Sequence, residues 1–162
     1  MRGGNDIGSA GVAGPKMVVS LALDFLRMGR PVQFEVTGQS MFPFLRAHDL
    51  VEVHPWKEEQ LCVGQVIVLS GRENHLLIHR VIRLEGGKLM TRGDASAVED
   101  GWLSSDLLVG RVLRTRRGSR SSRLGLGWEG RFLALFSRYG LLFALCRMAA
   151  ARSRQNDPQI GS

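Results

Sequence analysis

Ser40 and His79 are the two side chains whose type and setting permit nucleophilic chemistry. Ser40 stands in Gly38-Gln39-Ser40-Met41-Phe42-Pro43, just after an alternating run and a glycine. A loop there can present a hydroxyl beside backbone N–H groups able to bind an oxyanion. His79 falls in the middle of Leu76 to Leu84, and a period of two sets it on the face of Leu77 and Val81, away from Arg80. A hydroxyl becomes a strong nucleophile when a base takes its proton, so serine and imidazole together describe acyl transfer. Each residue alone has an ordinary explanation: loop serines form turns, and a histidine on an apolar face is usually a hydrogen-bonded core residue.

A catalytic imidazole also needs a group that holds its tautomer. If Gly86-Gly87 is a two-residue turn, Glu85 pairs with Lys88, and an uninterrupted ladder then sets His79 opposite Asp94. Facing residues have Cβ atoms about 5 Å apart, close enough for a carboxylate to orient the ring. A bulge or a longer turn would slip the ladder and remove that contact. The other histidines, His48, His54 and His75, lack convergent acidic or thiol partners at metal-ligand spacing and are expected at the surface. Cys62 and Cys146 are far apart and match no C-x-x-C spacing, so neither a disulfide framework nor a zinc site is indicated. With no Walker loop and no dinucleotide fingerprint, no cofactor is expected.

The elements that must position these groups are mostly strands. Val32, Phe34 and Val36 alternate with Gln33 and Glu35; Leu50 to Val53 alternates again; Gln65 to Leu69 is a continuous apolar run. Leu76 to Leu84 and Lys88 to Arg92 flank the glycine pair, and Leu107 to Leu113 reads as a last strand. Ahead of them, Pro15 and Gly29 bracket an amphipathic helix. Its apolar face is assigned to Val18, Leu21, Ala22, Phe25 and Met28, widened by Val19, Leu23 and Leu26. The chain of 162 residues suits one mainly β domain over 15–113. Residues 1–14 are expected to be a flexible N-terminus and 152–162 a flexible tail. No signal peptide is evident, because Asp24 interrupts the short apolar run from Met17 and no small-x-small pattern follows.

The net charge of +7 is local in origin. Arg111, Arg114, Arg116, Arg117, Arg120 and Arg123 crowd one stretch, read as a basic linker over 114–128. A strongly apolar segment over 129–151 follows and is expected to form a helix, with Arg131, Arg138 and Arg147 on different sides. Arg138 at mid-length makes spanning costly, so the segment is expected to bind an anionic membrane surface or a membrane partner, or to pack on the core. The chain is accordingly expected to be cytoplasmic or peripheral at the inner face of a membrane. Nucleic acid is not an expected partner, since no recognition motif with interleaved aromatics is present.

Taken in order, Ser40-Met41-x-Pro43, His48-Asp49-Leu50-Val51, Ile78-His79-Arg80-Val81 and Thr91-Arg92-Gly93-Asp94 resemble the boxes of type I signal peptidases. The similarity runs on through Ala95 to Asp100 and reaches Val109-Gly110-Arg111. Histidine at position 79 resembles the endoplasmic-reticulum and archaeal branch; bacterial members and the LexA-like relatives carry lysine there. The resemblance implies a signal-peptidase/LexA-like β fold over 15–113, a peptide or preprotein substrate, and a Ser40–His79–Asp100 triad. Asp94 would then belong to a supporting Gly-Asp box. Register and motif thus disagree on the aspartate, and Asp100 is preferred because turn length is the weaker premise. Ala47-His48-Asp49 departs from the family's usual glycine-aspartate, and no N-terminal anchor is seen, which favours a dedicated maturation peptidase over general signal cleavage. Alternatives are a non-catalytic peptide- or lipid-binding module on the same fold and a LexA-like autocleaving regulator.

Overall fold

A computed structural model describes residues 16–56, 61–71 and 75–123. The expected apolar helix over 129–151, both flexible ends and residues 124–128 of the expected linker lie outside them. The described chain is one helix on a mainly β, antiparallel body: α1 (Lys16–Arg27), β1 (Val32–Glu35), β2 (Leu50–Pro55), β3 (Val66–Ser70), β4 (Leu76–Glu85), β5 (Lys88–Arg92), β6 (Trp102–Ser104), β7 (Leu108–Arg117) and β8 (Arg120–Ser122). The strands join in the order β1-β2-β7-β3-β4-β5-β6, and β8 pairs with β7. Among the described residues, no helix is long and apolar enough to cross a membrane.

Burial divides between the two sides of the sheet. α1 covers one side, where Val19, Leu23 and Leu26 join Phe34, Val36, Val51, Val53, Val68, Ile78 and Val112. The other side gathers Ile67, Leu69, Val81, Leu89 and Leu108. Strand β3, buried at four consecutive residues, contributes to both, which is why its sequence is continuously apolar rather than alternating. Each leucine sealed this way contributes about 1.5–3 kcal/mol.

The packed face of α1 differs from the face assigned by periodicity. Val19, Ala22, Leu23 and Leu26 are buried, at the i, i+3, i+4, i+7 spacing of one stripe, while Met17, Val18, Leu21 and Met28 are exposed. The helix is apolar over more than one stripe, and the sheet covers the one that carries Val19, Ala22, Leu23 and Leu26.

The arginine run is likewise not a simple linker from its first residue. β7 continues to Arg117 and folds back into β8, with Arg116 opposite Ser121 and Arg117 opposite Arg120. Its continuation is held by β2, where Thr115 pairs with Val51 and Arg116 with Leu50. Alternation sends buried Thr115 inward and Arg114 and Arg116 outward, so a half-buried strand wears the charge density of a loop.

The β4–β5 hairpin closes as expected at Gly86-Gly87, with φ of 53° and 75° and Glu85 opposite Lys88. Two successive positive φ values match the right-handed twist of the flanking strands and favour glycine at both positions. Farther along, the ladder shifts: Arg83 faces Met90, but Val81 faces Thr91 and Arg80 faces Arg92. The shift inserts Ile82 as one extra residue on β4, so every pairing beyond it slips by one.

Candidate active site

The loop between β1 and β2 carries Ser40 and is closed at its neck by Val36. Val36 N–H donates to the Asp49 carbonyl at 2.9 Å, and His48 N–H donates to the Val36 carbonyl at 2.8 Å. Met41 and Leu45 are fully buried and pin the loop to the core, so Ser40 sits on a fixed turn rather than a free one. Asp49 braces the same loop, because its carboxylate accepts the Arg46 N–H at 2.9 Å and two hydrogen bonds from Arg117, at 2.7 and 2.6 Å. Burial pushes the Asp49 carboxyl up, but the Arg117 guanidinium and the Arg46 N–H outweigh it and hold it below the ordinary value of 3.8. Arg117, read from sequence as part of a linker, is therefore a strand residue that locks the serine loop.

Ser40 Oγ lies 2.9 Å from His79 Nε2, and His79 Nδ1 lies 2.5 Å from Asp100 Oδ2. The three side chains form one hydrogen-bonded line with little exposure: Ser40 is 7% exposed and His79 4%. Because the carboxylate can only accept, Nδ1 carries the proton and Nε2 is left as the atom that accepts from the serine hydroxyl. This is the arrangement that moves a proton from a nucleophile to a base during acyl transfer.

Asp94 stands elsewhere. Both of its oxygens accept from Arg80, Nε to Oδ1 and Nη2 to Oδ2, each at 2.7 Å, and both side chains are wholly buried. Arg80 also donates to the Gly64 carbonyl at 2.8 Å and lies 5.6 Å from the ring centre of Phe44. The contact between His79 and Asp94 expected from an unbroken ladder is absent, and the bulge at Ile82 is the reason. With the slip, Gly93 rather than Asp94 comes beside His79.

Gly93 is where backbone and site meet most closely. A Cβ built there would lie 2.6 Å from the Ser40 carbonyl oxygen, 2.8 Å from Ser40 Cβ and 3.0 Å from His79 Nε2. Just beyond, Ala95 N–H donates to the Ser40 carbonyl at 2.7 Å, joining the loop after β5 to the serine turn. Only a residue without a side chain lets the two segments approach this far.

The remaining histidines serve locally. His48 Nδ1 pairs with Glu35 and His54 Nε2 with Glu52, each at 2.7 Å, and His75 is exposed. The hydrogen bond from His54 lowers the Glu52 carboxyl, assisted by nearby Arg114 and Arg123. His48 has φ of 69°, the left-handed region that favours glycine.

Ser40, His79, Asp94 and Asp100 stand out in the sequence, whereas nothing in it assigns a role to Arg80, Arg117 or Gly93. A buried arginine mid-strand leaves no pattern distinct from an exposed one. Gly93 had a signal, a glycine at the end of a strand pattern, which marks close backbone approach. No protein-family model matches the chain, and no curated protein matches it.

Proposed function

We propose that the chain is a serine endopeptidase of the type I signal peptidase kind, acting as a dedicated maturation peptidase on a signal or leader peptide. The observation that carries this is the line of hydrogen bonds Ser40–His79–Asp100, at 2.9 and 2.5 Å, in a serine loop braced on both sides. The order of the boxes along the sequence and the mainly β body support it.

In this mechanism Ser40 Oγ attacks the scissile carbonyl while its proton passes to His79 Nε2. The imidazolium that forms is stabilised by Asp100 at Nδ1. As the tetrahedral intermediate collapses, the C–N bond breaks, and His79 returns the proton to the leaving amine. Water then attacks the acyl-serine, giving its proton to His79, and the carboxylic acid product leaves with Ser40 restored. By resemblance, the substrate lies extended along a strand edge, with small side chains before the cut.

The test is to incubate the wild-type chain and Ser40→Ala with a peptide library and read products by mass spectrometry. Cuts made only by the wild type, sharing a residue pattern before the scissile bond, are expected. Cuts made equally by both proteins, or by neither, would overturn the assignment.

A further inference from the structure

Asp100 Oδ2 accepts two hydrogen bonds, one from His79 Nδ1 at 2.5 Å and one from the Thr91 hydroxyl at 2.6 Å. The Thr91 carbonyl in turn accepts the Asp100 N–H at 2.9 Å, so Thr91 grips the aspartate by both backbone and side chain. Thr91 is fully buried within β5 and faces Val81, the residue next to the bulge at Ile82. The Asp100 side chain belongs to the loop before β6 and is 22% exposed.

A partly exposed carboxylate on a loop can turn among its staggered rotamers unless its oxygens are held. A fixed donor on Oδ2 removes the choice. We infer that Thr91 is a positioning residue of the candidate site, its hydroxyl fixing the Asp100 carboxylate so that Oδ2 meets Nδ1 of His79. β5 is held between β4 and β6, which makes its threonine a rigid reference for an aspartate on the loop before β6. A hydroxyl suits the task because it is neutral and small. It donates to the carboxylate without adding a charge that would compete with the imidazolium.

The catalytic consequence rests on the acyl-transfer proposal; the geometric one does not, and the experiment reads them separately. Proton NMR of the intact chain at low temperature reads the hydrogen-bonded Nδ1 proton of His79 as a far-downfield resonance. Wild type and Thr91→Ser are expected to show it, and Thr91→Val to lose it while keeping a native circular-dichroism spectrum. Thr91→Ala, which removes the hydroxyl without adding a methyl to the core, is read the same way should the valine variant fail to fold. On a peptide identified from the library, Thr91→Val is expected to lower kcat about 10- to 100-fold at unchanged KM, and Thr91→Ser to stay within about threefold of wild type. An unchanged resonance in the variants lacking the hydroxyl overturns the inference, as does a kcat loss equal in Thr91→Ser and Thr91→Val. Cleavage that persists in Ser40→Ala overturns the peptidase proposal instead, and leaves the resonance comparison standing.

Discussion

Arg80 and Asp94 form a bidentate ion pair with both side chains wholly buried, at 2.7 Å for each hydrogen bond. It ties the middle of β4 to the residue after Gly93, on the strand position next to His79. Removing the charge of one partner leaves a buried guanidinium uncompensated, which costs about 3–5 kcal/mol. Asp94→Asn is therefore expected to lower the urea midpoint sharply and to lose activity in proportion to the folded fraction. A variant with wild-type stability would show that the pair is dispensable.

Asp100→Asn is expected to behave in the opposite way. The side chain is partly exposed, so stability should change by less than about 1 kcal/mol. An asparagine amide facing Nδ1 favours the wrong imidazole tautomer, and kcat on a library-derived peptide is expected to fall about 10³- to 10⁴-fold. Equal destabilisation by Asp94→Asn and Asp100→Asn would refute the division of roles.

Ser40→Ala and His79→Ala are each expected to reduce kcat by about 10⁴-fold or more, and the double variant by little beyond either, because the two act as one unit. Circular dichroism and melting should stay near wild type. Independent, multiplicative losses would argue against a shared proton transfer.

Gly93→Ala tests the close approach at the site. A methyl 2.6 Å from the Ser40 carbonyl oxygen and 3.0 Å from His79 Nε2 must push the serine turn and the imidazole apart. A displacement near 1 Å is expected to cost about 10²-fold in kcat, with about 1–3 kcal/mol of stability lost to overpacking. Wild-type turnover in Gly93→Ala would mean that the two segments part without consequence.

His48 occupies the left-handed region at φ of 69°, so His48→Gly is expected to raise the melting temperature. Relief of the side-chain strain, about 1–2 kcal/mol, exceeds both the entropy glycine adds to the unfolded chain and the exposed contact with Glu35. A lower melting temperature would sink this expectation.

Acid should release the serine loop through Asp49. Its carboxyl is held below 3.8 in the folded state despite burial, so its contribution is full at pH values above the unfolded-state pKa and is lost as pH falls through the folded-state value. Urea denaturation of wild type and Asp49→Asn should show a stability gap at pH 7 that narrows below about pH 4. A gap independent of pH would mean that the ion pair with Arg117 contributes nothing to folding.

Local pattern in the chain was enough to specify the mainly β architecture, the Gly86-Gly87 turn and the serine and histidine that meet. Strand alternation and turn chemistry act over a few residues, and both were strong here. The ordered boxes also pointed to Asp100. What strand alternation and turn chemistry could not specify was which aspartate faces which side chain. That depends on the extra residue at Ile82, which is buried with Met90 against half-buried Val63 and shifts the ladder by one. The same limit applies to α1, whose apolar surface is wider than its contact, so the sheet selected the buried stripe. It applies again to Arg117, where composition resembles a linker, but β7 is held by β2 up to Arg116, Arg117 itself pairs with Arg120 of β8, and its guanidinium meets the carboxylate of Asp49. Register, facing stripe and buried ion pair are all decided by partners distant in sequence, and their free energies arise only once the tertiary structure brings those partners together.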